Sequence, residues 1–430
     1  MPNSAILQAF DLHGKTFQLF RLPFPIGWDR SRQKLKFHGG KKFLVFVLIL
    51  GFVLVRNLNY SVVVESLIDP EKIWERMVAM GIWIFGSSVI VAMVNYGGEF
   101  VTGFNTLLDT EKNVVKLRDK LNSMAQTNAR NENLLDTHFQ PDIEKKRKLS
   151  SVHLSIFRGD TDTSKNSQGG SSFTGKCLQL IVMLLYLAPI RIILYTLFVP
   201  HGPKTLLKPS LTSLLLKYVV LLSFCRMLSI MACLAISYLA SLHYSLRILK
   251  ESMQKIYSFK KKKFRAQLLY VVMKRYTHAE IVVTVGGRFI SNVVCHLVVV
   301  MGLGVGLVFI LRKMSPGTIA YFYGRVAFMG IFLISRNVVG YLGKINTCSV
   351  ELIWAWMALS GSGEVKEDSK WAKKSGSKKY FKRVMAAIRP IKVYVGFRGA
   401  NFLWGERNTE VKWWHGNCWV VIGVSIFIRS

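Results

Sequence analysis

The chain has 430 residues, 51% of them hydrophobic, and carries a net charge of +34. Apolar runs of about twenty residues recur along it, the length a helix needs to cross the hydrocarbon of a bilayer, and this argues against a soluble protein. The positive charge does not call for nucleic acid, because Lys and Arg are segregated into alternate polar connections, the pattern that orientation in a membrane produces.

Residues 1–42 are polar and basic, with Arg21, Arg30, Arg32, Lys34, Lys36, Lys41 and Lys42. No cleavable signal peptide is visible, so the first span is expected to act as its own insertion signal. That span is predicted over Phe43–Val64, with Arg56 past its middle. The second is predicted over Met77–Tyr96. A long polar stretch follows, read as a basic cytoplasmic loop over 102–176, with Lys145-Lys146-Arg147-Lys148 and a Ser/Gly-rich part near Ser164–Ser172. Its portion from Leu107 to Asn122 has helical character and is expected to prolong the second span into the cytosol.

The third span is predicted over Leu178–Val199, with Pro189 and Arg191 inside it. The fourth covers Leu215–Leu242 and holds Arg226. A second basic cytoplasmic loop is read over 247–285, including Lys260-Lys261-Lys262-Lys263. The fifth span covers Phe289–Leu311, where Gly302, Gly304 and Gly306 permit close helix approach. The sixth lies in 312–341, over Ile319–Tyr341, and carries Arg325 and Arg336. Those arginines are eleven residues apart and share a helix face. They line a cavity or an inter-helix contact, or else snorkel to the headgroups, as Arg56 can also do. Residues 342–412 form a cytoplasmic region in which Leu352–Trp356 prolong the apolar run up to the break at Gly361-Ser362-Gly363. The last segment, 413–430, holds a short apolar run over Trp413–Ile428, about 24 Å long at 1.5 Å per residue.

Seven helical spans with basic connections at alternate ends give an all-α polytopic protein, N-terminus inside and C-terminus outside. That orientation is opposite to the G-protein-coupled receptors. The sequon Asn59-Tyr60-Ser61 falls outside in this topology.

Catalytic signatures are missing. None of the nine histidines forms HxxxH, and there is no GxSxG and no P-loop. Acidic residues are scarce in the spans, which removes paired carboxylates for acid–base work and argues against proton-coupled transport. The six cysteines, Cys177, Cys225, Cys233, Cys295, Cys348 and Cys418, form no CxxC pair. No metal or other cofactor is expected. The aromatics Trp83, Tyr195, Tyr218, Phe224, Tyr321 and Tyr323 sit near the outer ends of the spans. They read as an interfacial belt or, together with Arg226, as an outward-facing ligand pocket.

The C-terminal order is a Lys/Arg-rich stretch, then Ile388–Phe397 (IRPIKVYVGF), a linker and a short final span. In this order the chain resembles the arthropod gustatory-receptor and odorant-receptor superfamily, as a divergent gustatory-receptor-like member. The family typically ends with Thr-Tyr, five apolar residues and Gln-Phe. The corresponding positions are Cys418-Trp419, Val420–Val424 and Ser425-Ile426, so all four flanking residues differ from the family pattern. The resemblance spans the chain in architecture and its last fifty or so residues in motif.

What the resemblance implies is a ligand-gated, nonselective cation channel in the plasma membrane, a homo- or hetero-tetramer with or without a co-receptor, responding to a small tastant or odorant. The last span would line the pore, and the cytoplasmic ends of the last helices would anchor the subunits. Val420, Val421 and Val424 would be gate residues, with Ser425 in place of the polar Gln. A ring of apolar side chains can gate by dewetting. The competing readings are a multi-pass transporter and, less favoured, a membrane-embedded enzyme.

Overall fold

A computed structural model describes residues 4–17, 25–40, 44–45, 48, 51, 73–136, 175–187, 190, 211–258, 268–291, 319–361, 388–397 and 400–404. Within them lie six helices: α1 (Ser4–Phe17), α2 (Ile73–Asp136), α3 (Gly175–Leu187), α4 (Leu211–Ser258), α5 (268–291) and α6 (Ile319–Gly361). Two antiparallel hairpins complete the described fold: β1 (Ile26–Asp29) with β2 (Lys34–Phe37), and β3 (Tyr394–Phe397) with β4 (Ala400–Trp404).

Helix length is the first consequence of the sequence. Over its 64 residues α2 runs about 96 Å, and the 48 residues of α4 and 43 of α6 run about 72 and 64 Å, far beyond a bilayer's thickness. The stretches read as loops over 102–176 and 247–285 are therefore helical over most of their described residues: α2 continues to Asp136, α4 to Ser258, and α5 begins at 268. The helix expected over Leu107–Asn122 is present and continues beyond it. Charged surface residues mask this continuity in the sequence, while buried apolar positions below them keep the helical period.

In α2 that period is a 4-3 repeat. Phe100, Phe104, Leu107, Glu111, Val114, Arg118 and Leu121 share one face, and all but Arg118 are buried. In α4 the buried Tyr238, Leu242, Ser245, Leu249, Ser252 and Ile256 follow the same spacing. The two helices pack side by side, and α6 packs along another side of α4. Successive contacts advance in step (Phe100 with Tyr238, then Asn122 with Lys255; His243 with Tyr341, then Lys250 with Glu351), so α2, α4 and α6 run parallel.

Helix α4 is central: every residue from 229 to 242 is buried. A helix apolar on all sides belongs in a core or a membrane. Among the described residues, Ser229–Ile256 is the stretch long and apolar enough to cross a bilayer. The runs over 43–64, 178–199, 289–311 and 413–428 lie partly or wholly outside the described residues. Those over 77–96 and 319–341 are helical, with most of their side chains outside the description.

Helix α5 runs antiparallel to the other three. It crosses α2 at a pair of glycines: a Cβ on Gly103 would stand 3.4 Å from the Gly286 Cα, and one on Gly286 would stand 2.8 Å from the Tyr238 hydroxyl. The Tyr238 hydroxyl donates to the Val282 carbonyl at 3.0 Å, and Phe100 stacks on Phe289 with centroids 4.2 Å apart. Small residues let the backbones approach, and the aromatic rings fill the flanking space.

The N-terminal residues are built into the bundle. In α1, Ala9, Phe10, His13 and Phe17 form the buried face, which packs on α4. Phe10 stacks on Trp28 of β1 and meets Phe104 of α2 edge-on, while Phe17 meets Tyr186 of α3. The β1–β2 turn is closed by Asp29, whose carboxylate accepts the backbone N–H groups of Ser31 and Arg32, with Gln33 taking the left-handed conformation (φ 50°). The Lys36 ammonium, 2.7 Å away, and these donors hold the Asp29 carboxyl well below the usual carboxylate range.

Candidate coupling site at the end of the bundle

The motif IRPIKV, singled out in the sequence, folds as a strap outside helix and strand over residues 388–393. Pro390 explains part of this. Its ring disfavours a helical conformation at Arg389, and it has no N–H to be satisfied. Ile391 and Val393 of the strap are buried, each 3% exposed, while Arg389 is exposed and the residues between are half-buried. Where the strap is buried, its backbone polar groups need partners from elsewhere.

Tyr276 of α5 supplies two. Its hydroxyl donates to the Arg389 carbonyl at 2.8 Å and accepts the Ile391 N–H at 3.2 Å. One oxygen thus bridges the two backbone groups that flank Pro390. The Ser349 hydroxyl of α6 donates to the Asn346 carbonyl at 2.9 Å and lies 3.4 Å from the Ile391 carbonyl. Burial raises the Tyr276 hydroxyl well above the ordinary phenol range, with the Ile391 N–H acting in the opposite direction, so it stays neutral and able to donate. Nearby, burial raises the Glu280 carboxyl while the Arg389 charge opposes it.

Behind the clasp stands an aromatic wall. The Tyr276 ring meets the fully buried Trp356 of α6 edge-on, with centroids 5.1 Å apart. The Trp356 indole N–H points at the Met253 sulfur of α4 at 3.0 Å. A short chain of contacts thus joins α4, α6, α5 and the strap. Lys250 of α4 and Glu351 of α6 add an ion pair at 2.7 Å on the surface of the same junction. These contacts fix the start of the polypeptide that continues towards the last apolar segment. Among the described residues no group of His, Cys, Asp and Glu could hold a metal ion.

Of the residues chosen from sequence, Arg226 is described: it is partly exposed on α4, and the His13 imidazole N–H reaches its backbone carbonyl at 3.4 Å. Trp83, Phe224, Tyr321 and Tyr323 lie on α2, α4 and α6, with side chains outside the described residues. Tyr195, Val420, Val421, Val424 and Ser425 lie outside the described residues altogether, as does Arg56, while Arg325 lies on α6 with its side chain outside the described residues. Arg336 is exposed on α6. Cys177, Cys225, Cys233 and Cys348 are free thiols.

Sequence reasoning missed Tyr276, Ser349 and the role of Trp356. Tyr276 follows Lys274-Arg275 in a basic stretch and reads as part of a solvated loop. The available signal was the spacing Leu269, Val272, Tyr276, Ala279 and Val283, a helical apolar stripe beneath the charges.

Comparison with family models and with curated proteins finds no match for this chain.

Proposed function

We propose that the chain is a chemosensory receptor of the gustatory/odorant type, acting as a ligand-gated nonselective cation channel, tetrameric in the plasma membrane. The observation that carries this reading is the clasp: α5 and α6, backed by α4 through Trp356, hold the strap from which the chain continues to the final apolar segment. A ligand that prefers one arrangement of the outer helices could bias a gate only through such a connection.

Other features support the reading. The exposed apolar side chains of α3, Leu180, Met183, Leu184 and Leu187, suit contact with lipid. The parallel helices are long enough to span a bilayer and still form a polar-surfaced bundle on its cytoplasmic side. In the seven-span topology the basic residues of that bundle face the anionic leaflet.

The test combines topology and current. Glycosylation acceptors placed on long linkers at each terminus report orientation in microsomes; the reading requires modification at the C-terminal tag alone. Whole-cell recording then compares the wild type with Val424→Ala at matched surface expression. An altered leak or gating current supports the gate assignment. Unmodified tags at both ends would remove the final span, and with it the channel, in favour of a six-span transporter or enzyme.

A further inference from the structure

Glu111 is the least expected side chain in the core. It occupies a position of the 4-3 repeat in α2 whose other members, Arg118 apart, are apolar, and it is 1% exposed. Ser241 of α4 supplies a hydrogen bond to its carboxyl group. The second oxygen, Oε2, has no partner among the described residues. The facing side of α4 carries a stripe of buried serines, Ser237, Ser241, Ser245 and Ser252, on one helical face. The hydroxyls of Ser237, Ser245 and Ser252 also lack partners among the described residues.

A bare, buried carboxylate oxygen is costly, whereas a neutral carboxylic acid needs far less solvation. Few charges stand by to offset that cost. Lys112 on the same helix and the positive charge of the amino terminus favour the ionised form, but burial outweighs them. Arg118, one heptad along α2, is engaged by Asp119 and by the Tyr244 hydroxyl of α4. On β2, Lys34 is paired with Asp109. His243 and Lys250 lie on the side of α4 that meets α6.

We propose that Glu111 is a proton-binding site that locks the α2–α4 seam: the seam closes around the neutral acid and parts to hydrate the carboxylate. The proton comes from cytosolic water and returns to it. Burial lifts the Glu111 carboxyl from its ordinary 4.5 to about 7 in the closed seam, so the stabilisation is full below 4.5 and is lost as the pH rises to about 7. Acidification stabilises the closed seam and alkalinisation loosens it, because the parted, hydrated carboxyl binds its proton more weakly than the closed one. A polar residue at one position of a helix–helix seam is a known means of setting register, and here its protonation makes that setting conditional. The proposal does not depend on channel activity.

The test uses the full chain, purified and reconstituted in nanodiscs. Infrared difference spectra between wild type and Glu111→Gln are recorded from about pH 5 to about pH 9 to isolate the neutral-carboxyl stretch of Glu111. In parallel, hydrogen-exchange protection factors are followed over Leu107–Leu121. The expected result is a Glu111 band that disappears with a midpoint within about one unit of neutrality, accompanied by an approximately tenfold or greater loss of seam protection that Glu111→Gln does not show. Absence of the band at low pH, or seam protection that ignores its titration, overturns the proposal. If Glu111→Gln fails to fold, Ser241→Ala replaces it. Removing a donor to the carboxylate must then move the midpoint upward, and an unchanged midpoint overturns the proposal.

Discussion

The side-chain amide of Asn105 pairs with the backbone of Leu35 from both directions. Its oxygen accepts the Leu35 N–H at 2.9 Å and its nitrogen donates to the Leu35 carbonyl at 2.9 Å. A side chain on α2 thereby serves as the missing neighbour of the edge strand β2. The exposed edge of a two-stranded ribbon is satisfied at its most buried residue, Leu35, 2% exposed. Lys34 and Asp109, 2.8 Å apart, reinforce the same docking.

Replacing Asn105 with Leu should therefore undock the β1–β2 hairpin more than it alters the helix. Two hydrogen bonds are lost and two buried backbone groups are stranded, a cost of about 2–4 kcal/mol. Limited proteolysis between α1 and β1 checks this. Cleavage there should accelerate while α4 stays protected; an unchanged digestion pattern would remove Asn105 from the role.

The Tyr276 clasp makes a sharper prediction. Tyr276→Phe keeps the ring against Trp356 and deletes only the bridging hydroxyl. The cost is about 1–3 kcal/mol, concentrated at the strap. Amide exchange at Ile391 should accelerate about tenfold or more, with little change in the protection of α4 and α6. On the proposed channel function, the same variant should alter gating without lowering surface abundance. Equal loss of protection throughout the bundle would instead make Tyr276 an ordinary core residue.

Close packing at the α2–α5 crossing can be tested with one methyl group. At Gly286 an added Cβ would stand 2.8 Å from the Tyr238 hydroxyl and 3.1–3.2 Å from its ring carbons. Ala gains about 1 kcal/mol of helix propensity over Gly, but overpacking costs about 1–3 kcal/mol and the buried Tyr238–Val282 hydrogen bond is strained as well. A net fall in the thermal midpoint in detergent is expected. Tyr238→Phe should partly rescue Gly286→Ala, because the nearest clashing atom is removed. Gly103→Ala, whose Cβ would stand 3.4 Å from Gly286 backbone atoms, should be milder.

His13 supplies a pH dependence distinct from that of Glu111. Burial, helped by the Arg226 charge, pushes its imidazole down to about 3, so the docked form is neutral. In the undocked chain the same group takes up a proton near its ordinary value of 6.5. Docking of α1 is thus unaffected by pH well above 6.5 and weakens as pH falls below it towards 3. Proteolytic release of α1 should rise on acidification, and His13→Phe should flatten the response. A wild-type release rate independent of pH would contradict the buried neutral imidazole.

How much was legible in the sequence differs between parts of the molecule. The helical extension beyond Tyr96 could be read because Leu107, Val114 and Leu121 keep their spacing among the charges. The stretch Ile388–Phe397 was singled out as a motif, but not as one whose first residues form a strap. Its partner Tyr276 was missed, for a basic sequence around a single aromatic looks the same whether the helix face below it is buried or solvated. Nor could α1 be placed, because an amphipathic face states that it will be covered without stating by what.

Local chemistry was thus determined by the sequence itself: apolar runs of membrane length, the alternation of basic connections, the helical period and the stop imposed by proline. These depend on residues close together in the chain, so each can be read within a short window. Only the tertiary structure decided the pairings. The Tyr276 hydroxyl meets the Ile391 amide 115 residues away, and the Asn105 amide meets the Leu35 backbone 70 residues away. Such contacts are selected by the requirement that every buried polar group be satisfied at once, a condition on the whole fold that no local window contains.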